Sequence, residues 1–442
     1  MDAGISTENK NLEYNLQSWS KQNGLNPLEI ERAEDIYIYT VDGERYTDMC
    51  SQLVNMNLGH GNQAIIDAIK KQADAFTFVA PSYAAESRTV LSKKIIDLMP
   101  DNFGKIFFVN SGAEANEDAI KIARMYTGKT KIFSRYRSYH GSTLGAGNLT
   151  GEVRRFACEP GIPGFVKFFD PYVYREQIEF ESDEAAGEYY VAKLREQIDY
   201  EGAENIAAIF LEFIPGSNGV IIPPQNYLPG VRALCDEYKI LLVADEVMTG
   251  FGRTGKMFSY EHWGVKPDII TFAKGVNSGY VPLGGVAVSN EIAAYFGDNV
   301  LSCGHTYSGH PLACAAGVAC VDYTIENDIL GNVNAVGKVL GEILEDMKAK
   351  YDCVGDVRYI GLFACLELMK SKASKEPLVP YGKDPEGKMK KILGMLGAKK
   401  FMTYTHDNNL IVAPPLIITE EQLREEMQKL DEVLAEVQST LV

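Results

Sequence analysis

The sequence predicts an α/β fold, with a large domain around a mostly parallel central sheet and a smaller α+β domain formed by both termini. Between about residues 60 and 310, short apolar runs alternate with segments of helical periodicity. The apolar runs lack polar–apolar alternation, which is typical of strands covered on both faces, as in a parallel sheet. The chain has 442 residues, of which 46% are hydrophobic, so it can bury a sizeable core.

Strands are predicted where the apolar runs are most continuous, at residues 105–109, 206–211, 240–244, 269–272 and 285–288. Helices are predicted between them, for example at residues 113–126 and 228–238, because apolar side chains recur there with a helical period. Strands alternating with helices indicate a large α/β domain, which we assign to residues 61–325.

The two ends of the chain have a different pattern. Residues 34–58 predict a small β element with a turn at 41–44, and residues 370–388, rich in Lys, Pro and Gly, predict an exposed loop. Thr419 and Gln422 have the spacing of a capping box, and apolar residues follow at helical intervals. We therefore assign residues 1–60 and 326–442 to the smaller domain.

The composition disfavours several classes of function. The formal net charge is −17, and an acidic surface repels nucleic acid and anionic lipid, so neither is an expected partner. No run approaches the ~18 apolar residues of a spanning helix, and the first residues lack the pattern of a signal peptide. The eight cysteines form no CxxC pair, which indicates free thiols in a reducing compartment. A cytoplasmic protein is therefore expected.

The first chemically informative motif follows the strand at 105–109 and has the sequence Asn-Ser-Gly-Ala-Glu-Ala-Asn-Glu over residues 110–117. A helix that begins there directs free backbone N–H groups and the positive end of its dipole towards an anion, which favours a phosphate site. Gly112 allows a ligand to approach the backbone closely. The alternative is a simple helix cap by Ser111, and this motif alone does not separate the two interpretations.

Asp245 follows the apolar run at 240–244, where α/β proteins place ligands. A magnesium ligand, a helix cap and a partner for a protonated ring nitrogen are all compatible with this position. Magnesium would require a phosphate-binding loop. Gly128-Lys129-Thr130 is the candidate, but Ala123 stands where that motif requires Gly.

Lys274 follows another apolar run and precedes a glycine-rich stretch, which is an unusual place for a surface charge. A lysine desolvated there would have a lowered pKa and could form a Schiff base. The alternative is a solvated surface lysine, which most lysines are.

Two other features predict no function. Residues 250–255 match G-x-G-x-x-G, but no clear amphipathic helix follows, so nicotinamide binding is disfavoured. The six histidines lack the spacing of metal ligands. His305 and His310 are the nearest candidates, and Pro311 beside them indicates a loop. No metal ion is expected.

Taken in chain order, these motifs resemble those of class III pyridoxal-phosphate-dependent aminotransferases of fold type I. The matching segments are residues 110–116, 139–141, 245–247, 250–255, 274–275, 282–285, 306–311 and 414–416. The resemblance covers about residues 30–440 and is strongest to taurine and ω-amino-acid aminotransferases.

The resemblance implies pyridoxal 5'-phosphate as cofactor, with Lys274 binding it as a Schiff base and then moving a proton. Asp245 would pair with the pyridine nitrogen and keep it protonated, so that the ring accepts electrons. The other implied contacts are the phosphate-binding Ser111, Gly112 and Ala113, the ring-packing Tyr139 and Val247, the nearby His140 and Glu212, and Thr306 from a second subunit. Shared sites imply a homodimer, with a tetramer as a further option.

The substrate prediction depends on departures from the resemblance. Aminotransferases for ornithine, acetylornithine or 4-aminobutyrate carry Arg where this chain has Ile411, and ω-amine transaminases carry a mobile Arg where it has Tyr404. A buried anion still needs a partner. Arg154 and Arg155, with Trp19 as a pocket wall, are therefore the candidates for binding the anionic end of the substrate. Solvated arginines and a packing role for Trp19 are the alternatives.

We therefore predict an aminotransferase whose donor is taurine or a similarly short ω-amino acid and whose acceptor is 2-oxoglutarate or pyruvate. β-Alanine, 4-aminobutyrate and simple amines are the alternative donors. A racemase, aminomutase or decarboxylase of the same fold is the alternative activity.

Overall fold

The computed structural model describes residues 7–441. The helices are α1 (Thr7–Tyr14), α2 (Ser51–Val54), α3 (Gln63–Ala75), α4 (Glu86–Asp97), α5 (Gly112–Thr127), α6 (Leu144–Leu149), α7 (Asp183–Glu201), α8 (Tyr227–Tyr238), α9 (Asn290–Asp298), α10 (Pro311–Glu326), α11 (Ile329–Lys350), α12 (Lys388–Ala398) and α13 (Glu420–Thr440). The strands are β1 (Ile30–Glu34), β2 (Tyr37–Thr40), β3 (Arg45–Asp48), β4 (Phe103–Val109), β5 (Lys131–Arg135), β6 (Phe165–Phe168), β7 (Ile206–Leu211), β8 (Leu241–Asp245), β9 (Ile269–Phe272), β10 (Gly284–Ser289), β11 (Val354–Ile360), β12 (Phe363–Ser371), β13 (Glu376–Pro377), β14 (Phe401–Met402), β15 (Thr405–His406) and β16 (Asn409–Val412).

A seven-stranded sheet with strand order β4-β10-β9-β8-β7-β5-β6 forms the centre of the molecule. Strands β7 and β9 have the predicted bounds, and β4, β8 and β10 differ from them by one or two residues at an end. Strand β10 is antiparallel to both neighbours, whereas β6, β5, β7, β8 and β9 are mutually parallel. The connection from β9 to β10 carries only a short 3₁₀ turn, which suits an antiparallel pair, since parallel neighbours need a longer crossover.

The central sheet is covered on both faces, as its continuous apolar strands predict. Every residue of β7, β9 and β10 is buried. One face packs against α5, whose small residues Ala115 and Ala119 allow close approach. The other packs against α7 and α8, through residues such as Leu194 and Leu228. Apolar side chains therefore face a packed layer on either side of the strand.

Segments from both ends of the chain form the remaining sheets. Strands β1, β2 and β3 pair antiparallel, and β14 joins β3 in parallel with Phe401 opposite Thr47. The turn between β2 and β3 contains Gly43 with φ +83, as the predicted turn requires. Strands β11, β12, β16 and β15 form an antiparallel sheet, with β13 beside β12. The domain boundaries at residues 60 and 325 stay a prediction.

Two terminal elements differ in how well they were predicted. Helix α13 begins with the expected capping box, in which Gln422 N donates to Thr419 Oγ1 at 3.2 Å and Gln422 Oε1 accepts from Thr419 N at 2.9 Å. The exposed loop predicted at 370–388 is wrong in part. Leu378 and Val379 are buried there because their side chains pack into the apolar core, and their N–H groups donate to the Leu368 carbonyl and the Asn408 side chain.

The turn-rich loop at 250–255 ties both ends of the chain to the centre through Arg253, which is fully buried. Its Nη1 donates to the carbonyls of Leu362 and Pro414, and its Nη2 donates to Ser51 Oγ and Asn57 Oδ1. This guanidinium therefore has a structural role. Across residues 7–441, no helix combines the length and apolar character needed to cross a membrane.

Candidate active site

The carboxyl ends of four co-directional strands bring the predicted site residues to one edge of the central sheet. Ser111 follows β4, Glu212 follows β7, Asp245 ends β8, and Lys274 lies just beyond β9. These strands point the same way because β10 is antiparallel to both β4 and β9. This edge is where open α/β sheets bind ligands.

The Asp245 carboxylate is buried and held by three donors. Oδ2 accepts from Asn116 Nδ2 at 2.9 Å and lies 2.7 Å from His140 Nδ1, while Oδ1 accepts from Val247 N at 3.0 Å. A carboxylate only accepts, so His140 carries its proton on Nδ1. Thr271 Oγ1 in turn donates to Asn116 Oδ1 at 2.8 Å. The network fixes the carboxylate and compensates its burial.

Lys274 has two features that ordinary surface lysines lack. Its φ is +46, in the left-handed region that is strained for a side chain with Cβ. Burial lowers the pKa of its ammonium to about 8, against the opposing effect of the Glu212 and Asp245 carboxylates. About a tenth of the amine is therefore neutral at pH 7 and about half at pH 8, far more than for an ordinary lysine, and the neutral form is the nucleophile.

The N-terminus of α5 supports both interpretations of its motif. Ser111 caps the helix, since its Oγ accepts from Glu114 N at 3.2 Å. The N–H groups of Gly112 and Ala113 lie in the first turn and have no intrahelical acceptor, so they remain able to bind an anion. A Cβ on Gly112 would lie 2.8 Å from Val247 Cγ1, so the glycine also permits close packing against the loop after β8.

Glu212 joins the loop after β7 to the Tyr139 segment. Its carboxylate accepts from Tyr139 N at 3.0 Å and from Gly216 N at 3.1 Å. Burial raises the pKa of Glu212, and the nearby Asp245 adds to this rise while His140 opposes it. Glu212 thus positions the backbone that carries Tyr139.

The structure separates the two candidate arginines. The Arg154 guanidinium carbon lies 3.8 Å from the Tyr139 ring centroid and 5.7 Å from the Trp19 ring, and these two rings meet edge to face. Arg155 instead lies over Phe156, with Nε 3.4 Å from Glu159. Among the predicted substrate residues, Arg154 and Trp19 are therefore brought to Tyr139, and Arg155 is not.

Thr306 is exposed in the segment between α9 and α10. The neighbouring residue His305 contacts α5, because its Nε2 lies 2.6 Å from Oδ2 of Asp118 in that helix. Within residues 7–441, no hydrogen bond links the Thr306 side chain to the site of its own chain.

Two residues at this site escaped the sequence interpretation. Asn116 bridges Asp245 and Thr271, and its signal was a polar residue on the buried face of α5. Glu152, which is fully buried, binds the backbone and side chain of Arg154. The Glu152 contact had no sequence signal beyond its proximity in the chain. In the described part of the chain, no group of three or more metal-ligating side chains is found.

Comparison with known proteins identifies the family. The model of the family described as aminotransferase class-III matches residues 19–434. The chain therefore belongs to the class III aminotransferases. This confirms the predicted family, enzyme class and fold-type-I architecture.

Three relatives show the range of this similarity. The structure of taurine:2-oxoglutarate aminotransferase from Bifidobacterium kashiwanohense, in complex with PLP and glutamate, matches with a TM-score of 0.97 and 49% identity over 100% of both chains. Taurine–pyruvate aminotransferase from Bilophila wadsworthia is 34% identical over 92% of each chain. Leucine/methionine racemase from Thermococcus litoralis is 34% identical over 93% of this chain and 91% of its own.

Class III aminotransferases depend on pyridoxal phosphate, so this cofactor is confirmed for the family. The described residues fit it. The first turn of α5 offers N–H groups for a phosphate, Asp245 offers a buried carboxylate for the pyridine nitrogen, and Lys274 offers an amine for the aldehyde carbon.

Proposed function

We propose that this aminotransferase moves the amino group of taurine, or of a similarly short ω-amino acid, to 2-oxoglutarate, with pyruvate as the second candidate acceptor. The observation that carries the proposal is the Arg154 guanidinium, whose Nη2 is buried and has no hydrogen-bond partner within residues 7–441. An unpartnered buried cationic donor favours an anion, and a guanidinium suits a sulfonate or carboxylate. The 49% identical taurine:2-oxoglutarate aminotransferase supports the same donor and acceptor.

Cations are absent from the two positions where other members of the class bind carboxylates. Ile411 is fully buried in β16, and Tyr404 is a neutral phenol because burial raises its pKa. This leaves Arg154, with Trp19 beside it, as the residue proposed to bind the anionic end of the donor. Trp19 is exposed in the single chain and would form the outer wall of the pocket.

The catalytic roles belong to Lys274 and Asp245. When bound, pyridoxal phosphate supplies an electron sink for the substrate carbon. Asp245 keeps the pyridine nitrogen protonated through its buried carboxylate, which Asn116 and His140 orient. Lys274 Nζ would hold the cofactor and, when free of it, would take the proton that leaves the substrate carbon. Tyr139 and Val247 would pack on the ring, and Ser111, Gly112 and Ala113 would hold the phosphate.

We also propose that the active form is a homodimer. Thr306 is exposed, and the aromatic side chains of Phe78, Tyr83 and Tyr307 are exposed by 39%, 67% and 56%. Thr306 of each subunit would reach the phosphate bound by the other. Sedimentation should give twice the 48.8-kDa chain mass; a monomer that retains full activity would contradict the proposal.

The first experiment follows the visible absorbance of the holoenzyme. Taurine alone should bleach the yellow band, and 2-oxoglutarate should restore it. A band that taurine leaves unchanged would overturn the donor and direct the search to β-alanine, 4-aminobutyrate and amines. If pyruvate restores the yellow band and 2-oxoglutarate does not, pyruvate is the acceptor. Turnover of one amino acid without any 2-oxo acid would indicate a racemase, the activity of one relative.

The second experiment tests the anion site. Arg154→Ala should raise the KM for taurine by about tenfold to a hundredfold, since a charge-assisted hydrogen bond contributes about 1.5–3 kcal/mol. Cofactor binding should change little. Arg155→Ala is the comparison, because its guanidinium lies over Phe156 rather than Tyr139. A larger KM effect for Arg155→Ala would reverse the assignment between the two arginines.

A further inference from the structure

Glu152 is the counter-ion of Arg154 and binds both its backbone and its side chain. Its carboxylate is fully buried at the start of the 3₁₀ turn Val153–Cys158, where Oε2 accepts from Arg154 N at 3.1 Å. Its Oε1 accepts from Arg154 Nε. The guanidinium is thus held over Tyr139 through one nitrogen, while Nη2 stays without a partner among the described residues.

His406 approaches the same carboxylate from a different part of the fold. It ends β15 in the terminal antiparallel sheet, and its Nε2 lies 4.0 Å from Glu152 Oε2 and 3.8 Å from Asp407 Oδ2. This nitrogen is buried and makes no hydrogen bond to any residue between 7 and 441. A protonated Nε2 would therefore lie within 4.0 Å of the Glu152 and Asp407 carboxylates without any rearrangement of the chain.

We propose that Glu152 and His406 are positioning residues that set how strongly Arg154 binds the anionic end of the substrate. This inference rests on the proposed function, since it takes Arg154 as the anion-binding residue. When His406 is neutral, Arg154 alone compensates Glu152. The Glu152 charge then weakens the attraction of Arg154 for a second anion. With His406 protonated, Glu152 has a second cationic partner, and Arg154 binds the substrate anion more tightly.

The charged and titratable groups around His406 give the direction of this effect. Burial and the Arg154 cation lower the pKa of His406, whereas Asp407 on its own turn and Glu152 opposite raise it, and the net direction is downwards. Tyr381 from the preceding loop faces Asp407 and Glu152 as a neutral phenol, and Tyr139 faces Glu152. His406 is therefore neutral at pH 8 and gains its proton on acidification, so anion affinity should rise as pH falls.

The probe is propane-1-sulfonate, whose charge is constant in this range and which has no amine to titrate. Because the pKa of His406 lies below its ordinary value, the Kd of the probe for the holoenzyme is measured by calorimetry from pH 8 down to the lowest pH at which the holoenzyme stays folded. We expect binding to tighten on the order of fivefold towards low pH, as for a unit charge placed several ångströms from the anion at intermediate dielectric constant. A flat profile for the unmodified protein would overturn the inference.

Two variants isolate His406. His406→Gln keeps a polar group near the Nε2 position but cannot take a proton, so its Kd should stay at the weak, pH 8 value throughout. His406→Arg is always charged and should bind at the tight value throughout. His262→Gln is the matched control, because His262 is also a partly buried imidazole with a pKa lowered by burial, and it lies in the 3₁₀ turn Ser259–Trp263 beside Thr254 rather than beside Glu152. It should keep the unmodified profile, and retention of that profile by His406→Gln would overturn the inference.

The Arg154→Ala background separates this inference from the proposed function. If Arg154→Ala leaves sulfonate affinity unchanged, the proposed anion site is wrong. If Arg154→Ala weakens binding but His406→Gln retains the pH dependence, only the role of His406 is wrong. In the double variant, the His406 change should have no further effect, because its action passes through Arg154.

Discussion

Lys274 combines a strained backbone with a desolvated amine. Its left-handed φ begins the short 3₁₀ turn Lys274–Asn277, and Gly275 follows it in close contact with the 250–255 loop. Strain of this kind persists where the surrounding structure enforces it, and it concentrates at functional sites. The packing that holds this conformation also withdraws the amine from water.

The pKa of Lys274 predicts the pH dependence of cofactor attachment. Burial lowers this pKa to about 8, so the amine is protonated below that pH and neutral above it. When pyridoxal phosphate is added to cofactor-free protein, the rate of covalent attachment should rise towards pH 8 and then level off. The measurement is stopped-flow absorbance. A rate that keeps rising beyond pH 10, as for an ordinary lysine, would contradict the prediction. Lys274→Ala should abolish both attachment and transamination.

At the scale of elements, the site depends on contact between the N-terminus of α5 and the loop after β8. Gly112 lies directly against Val247, so the end of the helix is packed on the valine that we propose contacts the cofactor ring. Asn116, one turn further along α5, donates to Asp245 at the end of β8. One helix therefore aligns the proposed phosphate site with the carboxylate proposed to pair with the pyridine nitrogen.

Gly112→Ala should weaken cofactor binding without weakening the helix. The added Cβ would lie 2.8–2.9 Å from the two Val247 methyl carbons, so the side chain that we propose packs on the ring must shift. Gly112 is the first residue of α5, where intrinsic helix propensity has little weight, so the free energy of unfolding of the cofactor-free protein should fall only by the cost of displacing Val247, about 1–3 kcal/mol at most. The Kd for pyridoxal phosphate should rise about tenfold, since 1.4 kcal/mol is one decade.

The controls for this variant are available in the chain. Gly394→Ala in α12 adds a Cβ with nothing within 4 Å and should leave the cofactor Kd unchanged. Val247→Ala combined with Gly112→Ala removes the clash and should recover part of the lost affinity. Unchanged cofactor affinity in Gly112→Ala would show that the loop after β8 adjusts freely.

At the scale of the molecule, a buried ion network joins the terminal sheet to the loop that carries Glu212. Arg358 on β11 donates to Glu367 on β12 at 2.7 Å and to the carbonyl of Gly219 at 2.6 Å. Arg175 reaches the same Glu367 from the other side at 2.7 Å. Gly219 lies in the loop after β7, and Gly216 N in the same loop donates to Glu212. The network therefore connects the terminal antiparallel sheet to the central sheet beside the site.

Arg358→Leu should be strongly destabilising. The change removes the most deeply buried cation beside Glu367 and Asp356, which keep the more exposed Arg175 and Lys348 as cationic partners. Breaking a buried ion pair costs about 3–5 kcal/mol, and these remaining partners place the expected loss towards the lower end. The measurement is the thermal midpoint of the holoenzyme. The double variant with Glu367→Leu should be less destabilised than the sum of both single changes. Additive effects would indicate that the pair contributes no coupling.

Single residues of the site were predictable to different degrees. Asp245 ends β8 and Lys274 lies two residues beyond β9, so their positions placed them at the ligand-binding edge of the sheet, and the resemblance then gave them their expected roles. The choice between Arg154 and Arg155 was not predictable, because adjacent residues on a short turn point in different directions. Glu152 decides that choice by binding the Arg154 side chain. His406 had no sequence signal, since its proximity to Glu152 arises only from packing between distant segments.

The sequence by itself determined five of the seven central strands, the two-sided burial of the sheet, the class of protein and the lysine and aspartate at its edge, but not β5 and β6. These follow from local apolar runs and from short motifs whose residues are neighbours in the chain. Only the tertiary structure decided the antiparallel direction of β10, the burial of Leu378 and Val379, and the assembly of Arg154, Glu152 and His406. Each of these depends on contacts between residues far apart in the chain, and local sequence pattern carries no information about such contacts.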